Sequence, residues 1–134
     1  MRVALLYSSQ SNASAFTDYA KEVEKGIIDN SHFVDLMPKE NVRSLTGYKN
    51  IVIGYENIST FNAKVSNEFI RMIKSCGDIS GKYCYVFINK KLRSAALLRN
   101  LMKLLEKEGM IICSSEIFSS KENGFNFGKR LNFY

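Results

Sequence analysis

One histidine, one proline and three cysteines in 134 residues are scarcities, and each closes off a class of protein. His32 has no second histidine with which to share a metal, and it opens an apolar stretch, so it is expected at the surface or a strand edge. Cys76, Cys84 and Cys113 are odd in number and have no short metal-like spacing. Cys84 and Cys113 lie inside apolar runs, and all three are expected to be small buried thiols in a reducing cytosol. With a single proline and 8 glycines, no segment reads as a linker. No apolar run approaches the roughly 18 residues that a membrane span needs. The opening Met1–Tyr7 carries one charge and too short an apolar run for a secretory signal. What is present is ordinary globular composition, 46% apolar and 24% charged, which excludes a disordered tail, a collagen-like rod and a coiled coil. The length is that of one domain, expected over residues 1–134. Such a chain buries roughly two-thirds of the surface it exposes when unfolded.

The net charge of +6 is unevenly spread. Residues 1–67 hold 7 basic and 7 acidic side chains, whereas residues 68–134 hold 12 basic and 6 acidic. A basic half points to nucleic acid, an anionic partner or an anionic ligand. Nucleic acid is the weakest of these, because the aromatics do not interleave with the basic residues in an RNA-binding pattern and no helix is basic along a whole face.

Five apolar runs rich in Val, Ile, Tyr and Phe punctuate the chain: Arg2–Tyr7, His32–Leu36, Asn50–Gly54, Lys82–Ile88 and Met110–Phe118. Several lack alternation, as strands buried on both faces of a parallel sheet do. Helical patterns lie between them. Phe16, Tyr19, Ala20, Val23 and Ile27 form one stripe, expected to end at Gly26. Val65, Phe69, Ile70 and Ile73 form a second, with Asn62 as N-cap and Gly77 as stop. Leu97, Leu98, Leu101, Met102, Leu104 and Leu105 form a third, between Ser94 and Gly109. A short helix is expected at Val42–Leu45, and Phe125, Leu131 and Phe133 suit a final helix from Lys121. Strands alternating with helices imply right-handed βαβ crossovers and an α/β three-layer sandwich around a five-stranded parallel sheet. The order 2-1-3-4-5 fits best. Ligands of such sheets bind beyond the carboxyl ends of the strands where the order reverses, here in the loops after Tyr7 and Gly54, with the loop after Ile88 beside them.

The first of these loops reads Ser8-Ser9-Gln10-Ser11-Asn12-Ala13-Ser14 and runs straight into a helix. Hydroxyls and backbone N–H groups at a helix N-terminus bind anions, and with no Lys or Arg in the loop a phosphate would be held by dipoles and hydrogen bonds alone. Equally, a Ser/Asn-rich loop can simply cap a helix. The stretch Ser9-Gln10-Ser11-Asn12-Ala13-Ser14 resembles the phosphate loop of the flavodoxin-like family. Ser9, Ser11 and Ser14 fall on the family's hydroxyl positions, and Asn12 stands where glycine is usual. Asn is the residue that best replaces glycine in a left-handed backbone. The resemblance extends in element order over nearly the whole chain. It implies a flavodoxin-like fold and an FMN cofactor with its phosphate in this loop.

In that family the loop after the third strand runs along the flavin ring. Here it reads Tyr55-Glu56-Asn57-Ile58-Ser59-Thr60-Phe61, so Tyr55 or Phe61 is a candidate platform and Asn57 a candidate polar contact. Phe61 capping the next helix against the core is the competing reading. The loop after the fourth strand, Asn89-Lys90-Lys91-Leu92-Arg93, corresponds to the region that approaches the ring's pyrimidine side. Asn89 is the candidate contact there. Electron-carrier flavodoxins are acidic around the ring, whereas this loop holds three cations and no glycine. Positive charge beside a bound flavin raises its reduction potential, by about 40 mV per kcal/mol of stabilisation of the reduced form.

Missing motifs weigh against other readings. No acidic pair follows strand 1, as a receiver domain needs. There is no GxxxxGK(S/T) loop, no GxGxxG, no GxSxG elbow, and no cysteine in a phosphate loop before an arginine. The expectation is therefore an FMN-binding, cytoplasmic electron-transfer protein, a carrier or a small flavin-dependent oxidoreductase. Its partner would be a redox protein or a quinone-like acceptor. The alternative is a flavodoxin-fold binding module that has lost FMN and acts through protein partners. No acid, base or nucleophile stands out.

Overall fold

The computed structural model describes residues 1–10, 14–58 and 62–134. Ser11, Asn12, Ala13, Ser59, Thr60 and Phe61 lie outside the described residues. The elements are β1 (Arg2–Ser8), α1 (Ala15–Asp29), β2 (Phe33–Pro38), a 3-10 turn (Lys39–Asn41), β3 (Asn50–Tyr55), α2 (Asn67–Lys74), β4 (Tyr83–Asn89), α3 (Ser94–Lys107), β5 (Ile111–Phe118) and α4 (Lys121–Arg130). The five strands pair in parallel in the order β2-β1-β3-β4-β5, the order expected from the sequence. β1, β3 and β4 are nearly continuous buried runs, as central strands of a doubly covered sheet should be. β2 and β5, at the edges, are half-exposed.

Side chains alternate between two cores. On one face Ala4, Leu6, Ile51, Ile53, Cys84 and Val86 meet Phe69 and Ile73 of α2 and Leu97, Leu101 and Leu105 of α3. On the other, Val3, Leu5, Val52, Tyr85 and Phe87 meet Phe16, Ala20, Val23 and Ile27 of α1 and Phe127 of α4. An aromatic row crosses this second face. Phe16 stacks on Phe87 at 5.5 Å between ring centroids, Phe87 on Phe118 at 4.9 Å, and Phe118 meets Phe127 at 5.5 Å. At the far end of the sheet the fully buried Asn50 donates from Nδ2 to the Tyr134 carbonyl and accepts at Oδ1 from the Tyr134 N–H and the Tyr85 hydroxyl. With a further Nδ2 contact to the Met1 sulfur at 3.6 Å, its buried amide exchanges water for four protein groups.

The structure corrects five local expectations. Gly26 does not end α1, which runs to Asp29. It sits where α1 crosses α4: a Cβ on Gly26 would stand 2.2 Å from the Phe125 carbonyl oxygen, and one on Gly128 2.2 Å from that of Val23. The two backbones touch because neither residue has a side chain. The N-cap of α2 is Ser66, whose Oγ accepts from the Phe69 N–H at 3.2 Å. Asn62 instead spends its Oδ1 on the Lys64 N–H, while Ala63 and Val65 are buried in extended chain. α2 also ends at Lys74, before Gly77. The helical turn expected at Val42–Leu45 lies at Lys39–Asn41, because the buried Leu45 donates its N–H to the Cys76 carbonyl at 2.9 Å. Cys76 and Cys84 are buried, but Cys113 is exposed on the edge strand β5.

The glycine crossing yields a prediction. Gly128→Ala must push α4 away from α1 and should cost about 1–3 kcal/mol of stability, the usual penalty of overpacking. Gly47→Ala, with nothing within 4 Å of its would-be Cβ, should leave the urea midpoint unchanged. Equal midpoints for Gly128→Ala and the parent would show that the helices do not touch there.

Candidate functional site

The carboxyl ends of β1 and β3 lie side by side, Ser8 opposite Tyr55, and the Glu56 N–H extends the ladder by donating to the Ser8 carbonyl at 2.9 Å. From this pair the chain departs in opposite senses. After β1 it enters α1 on one face of the sheet, and after β3 it enters α2 on the other. The crevice between the two departures is the switch point.

On the β1 side, Ser14 is the N-cap of α1, and its Oγ accepts from the Phe16 N–H at 3.1 Å. Ser9 is buried, and the Thr17 hydroxyl donates to its Oγ at 3.4 Å. Gln10 is exposed, yet its backbone N–H points to a partner from the other side of the crevice. It donates to Glu56 Oε1 at 2.5 Å, and the Ser14 hydroxyl donates to Glu56 Oε2 at 2.8 Å. Gln10 and Ser14 thus hold a bidentate anion at the positive end of α1, and that anion is a carboxylate of this chain.

On the β3 side, Tyr55 turns toward α2. Its ring meets Phe69 edge-on at 5.0 Å, and its hydroxyl oxygen accepts from the Ser66 N–H at 2.9 Å. Asn57, only 2% exposed, donates its N–H to Asn89 Oδ1 at 2.5 Å, while Asn89 Nδ2 donates to the Asn57 carbonyl at 3.0 Å. The Asn89 amide acts here as one more rung of backbone and ties the loop after β3 to the end of β4. Among the described residues, the buried Asn57 Nδ2 has no hydrogen-bond partner. Beyond Asn89 the chain turns tightly. Ser94 Oγ bonds both the N–H and the carbonyl of Lys91, and Arg93 adopts a left-handed backbone at φ 64°. Lys90, Lys91 and Arg93 are exposed. A cavity of about 140 Å³ lies at the switch point, lined by Ser8, Ser9, Gln10, Lys39, Tyr55 and Glu56 among others. Lys39 is 3.6 Å from Glu68.

Of the residues singled out from the sequence, Ser9, Gln10 and Ser14 converge on one side of the crevice, and Asn57 and Asn89 join each other on the other. Tyr55 faces α2. Ser11, Asn12, Ala13 and Phe61 lie outside the described residues. Glu56 was not singled out. Its signal was available in the strand order, which sets the residue after β3 beside a Ser-rich loop that contains no cation.

No family model and no curated protein matches this sequence. Solved structures do match over nearly the whole chain. The two-electron reduced flavodoxin of Megasphaera elsdenii aligns with a TM-score of 0.77 at 15% identity, covering 95% of this chain and 98% of that one. Oxidised Flavodoxin 1 from Bacillus cereus aligns at 0.71 with 16% identity, covering 98% and 100%. The Fusobacterium nucleatum flavodoxin bound to flavin mononucleotide aligns at 0.66 with 9% identity, covering 94% and 93%. The chain therefore has the flavodoxin-like fold. Among the described residues no helix is long and apolar enough to cross a membrane, and no group of His, Cys, Asp and Glu is placed to hold a metal.

The amide pair between the loops carries a prediction. Asn89→Ala removes both bonds and leaves the buried Asn57 N–H unpaired, at a cost of about 1–3 kcal/mol. Hydrogen exchange at the Asn57 amide should accelerate with it. Unchanged exchange at that amide would refute the pairing.

Proposed function

We propose that this chain binds FMN noncovalently and transfers electrons in the cytoplasm, as a carrier or as a small oxidoreductase acting on a quinone-like acceptor. The supporting observation is the loop at the start of α1. Its neutral donors, the Ser14 hydroxyl and the Gln10 N–H, already hold a pair of anionic oxygens. A donor set that accepts a carboxylate suits a phosphate, and the helix terminus favours either. Ser9, Gln10 and Ser14, with Ser11, Asn12 and Ala13 between them in sequence, would hold the phosphate. Asn57, with its unpartnered Nδ2, and Asn89 would border the ring, together with Phe61. Tyr55 would support the loop from the α2 side. Bound FMN supplies reversible electron acceptance. The protein's part is to fix its position, limit water and set the local charge. The exposed cations Lys90, Lys91 and Arg93 favour an anionic or acidic redox partner.

The same carboxylate, with the amide pair that joins the two ring-side loops, favours a second reading, in which the fold persists without FMN and serves protein partners. Absorbance separates the two. Protein that carries the flavin bands as purified, or quenches added FMN at a one-to-one ratio, supports the first. A colourless protein that leaves FMN fluorescence unchanged supports the second.

If FMN binds, Lys90→Glu with Lys91→Glu should lower the potential of the bound flavin by roughly 10–40 mV at low salt, and less in high salt, as expected for exposed charges. Potentiometric titration reads this directly. An unshifted potential at low salt would place the lysines far from the flavin.

A further inference from the structure

We propose that Glu56 sets how this site discriminates between phosphate-bearing and phosphate-free ligands, by filling the phosphate seat itself; the inference rests on the flavin reading above. Its two carboxylate oxygens take two separate donors of the loop, the Gln10 N–H at 2.5 Å and the Ser14 hydroxyl at 2.8 Å. A phosphate entering the loop needs these same donors. It would also meet a fixed negative charge, because residues 8–14 contain no Lys or Arg. No ion pair engages Glu56 among the described residues, and the nearby cavity-lining cation Lys39 is paired with Glu68 at 3.6 Å. A phosphate must therefore displace the carboxylate, whereas a flavin without phosphate leaves it in place. Among the described residues, Asn57 Nδ2, on the residue next to Glu56, is buried with no hydrogen-bond partner, so a polar group beside this carboxylate is also left open.

The position of Glu56 makes the substitution possible. Ser8 and Tyr55 are register partners, so the residue after β3 is the first side chain of that loop able to reach across to the loop after β1. Glutamine at the same place keeps one acceptor oxygen but offers an NH2 group where Ser14 now donates. Alanine empties the seat.

The test titrates FMN and riboflavin against the parent, Glu56→Gln and Glu56→Ala, reading flavin fluorescence, with inorganic phosphate as a third probe read by the rise in Tm over chloride at equal ionic strength. The parent should bind FMN and riboflavin with nearly equal affinity. Both variants should bind FMN about ten- to a hundredfold more tightly, the scale of one or two charge-assisted hydrogen bonds, with riboflavin unchanged. Phosphate should stabilise Glu56→Ala more than the parent. A parent that already prefers FMN strongly, with no gain in either variant, overturns the proposal. If none of the three proteins binds either flavin, the flavin reading fails. Glu56 is then judged by phosphate alone: selective stabilisation of Glu56→Ala upholds its role, and equal response of variant and parent overturns it.

Discussion

The pairing of β1 with a neighbour on each side is the constraint from which the rest follows. Tyr7 is in register with Pro38 of β2 on one side and with Gly54 of β3 on the other. A strand flanked in this way sends its crossover to one face while the next strand sends its own to the opposite face, because right-handed connections allow no other route. The two loops therefore part above the ends of β1 and β3. Ser9 and Gln10 face Glu56 for no local reason. They meet because Ser8 and Tyr55 share a rung of the ladder.

Packing, rather than the polar contacts, fixes where Ser14 and the start of α1 stand. The N-cap hydrogen bond of Ser14 contributes about 1 kcal/mol. Full burial of Phe16, two residues further on, contributes about 2–3 kcal/mol, and its ring is held by Phe87 in the aromatic row. The backbone contact of Gly26 with α4 anchors the other end of α1, reinforced by the Lys129–Asp29 pair at 3.2 Å. A surface pair of that kind adds little beside the buried area. The seat at the start of α1 is thus preorganised by the core. The packing that positions it does not involve the Glu56 contact.

Strand number and the place of each loop were legible in the sequence because they rest on local pattern: buried apolar runs, helical stripes between them, and a hydroxyl-rich loop ahead of Phe16; the sheet order found is the better fitting of the two that right-handed crossovers left open. What was not legible depends on contacts between distant positions. Gly26 reads as a helix stop until Gly128 is known to lie against the same helix. Tyr55 reads as a flavin platform until the Ser66 N–H claims its hydroxyl. Cys113 reads as buried within its apolar run, yet it lies on an edge strand with one side open. Asn57 and Asn89 were both legible as polar residues at the ends of adjacent strands. Their reciprocal bond needed the register of β3 and β4, which sets Tyr55 against Ile88.

Charge in the loops after β3 and β4 has opposite sign and acts by different rules. Lys90, Lys91 and Arg93 are exposed, so salt screens them over a Debye length of about 8–10 Å and each contributes a fraction of a kcal/mol. Glu56 is bonded to two donors at the positive end of a helix, where the interaction is short-ranged and charge-assisted. The lysines therefore act weakly and at a distance, whereas the carboxylate holds its two donors directly. The net positive charge, all of it from the second half of the chain, does not pair with it: among the described residues Glu56 makes no ion pair, and Lys39, which lines the same cavity, is 3.6 Å from Glu68. The charge of the chain as a whole thus says little about the donors at the start of α1, which are held locally by a single acid.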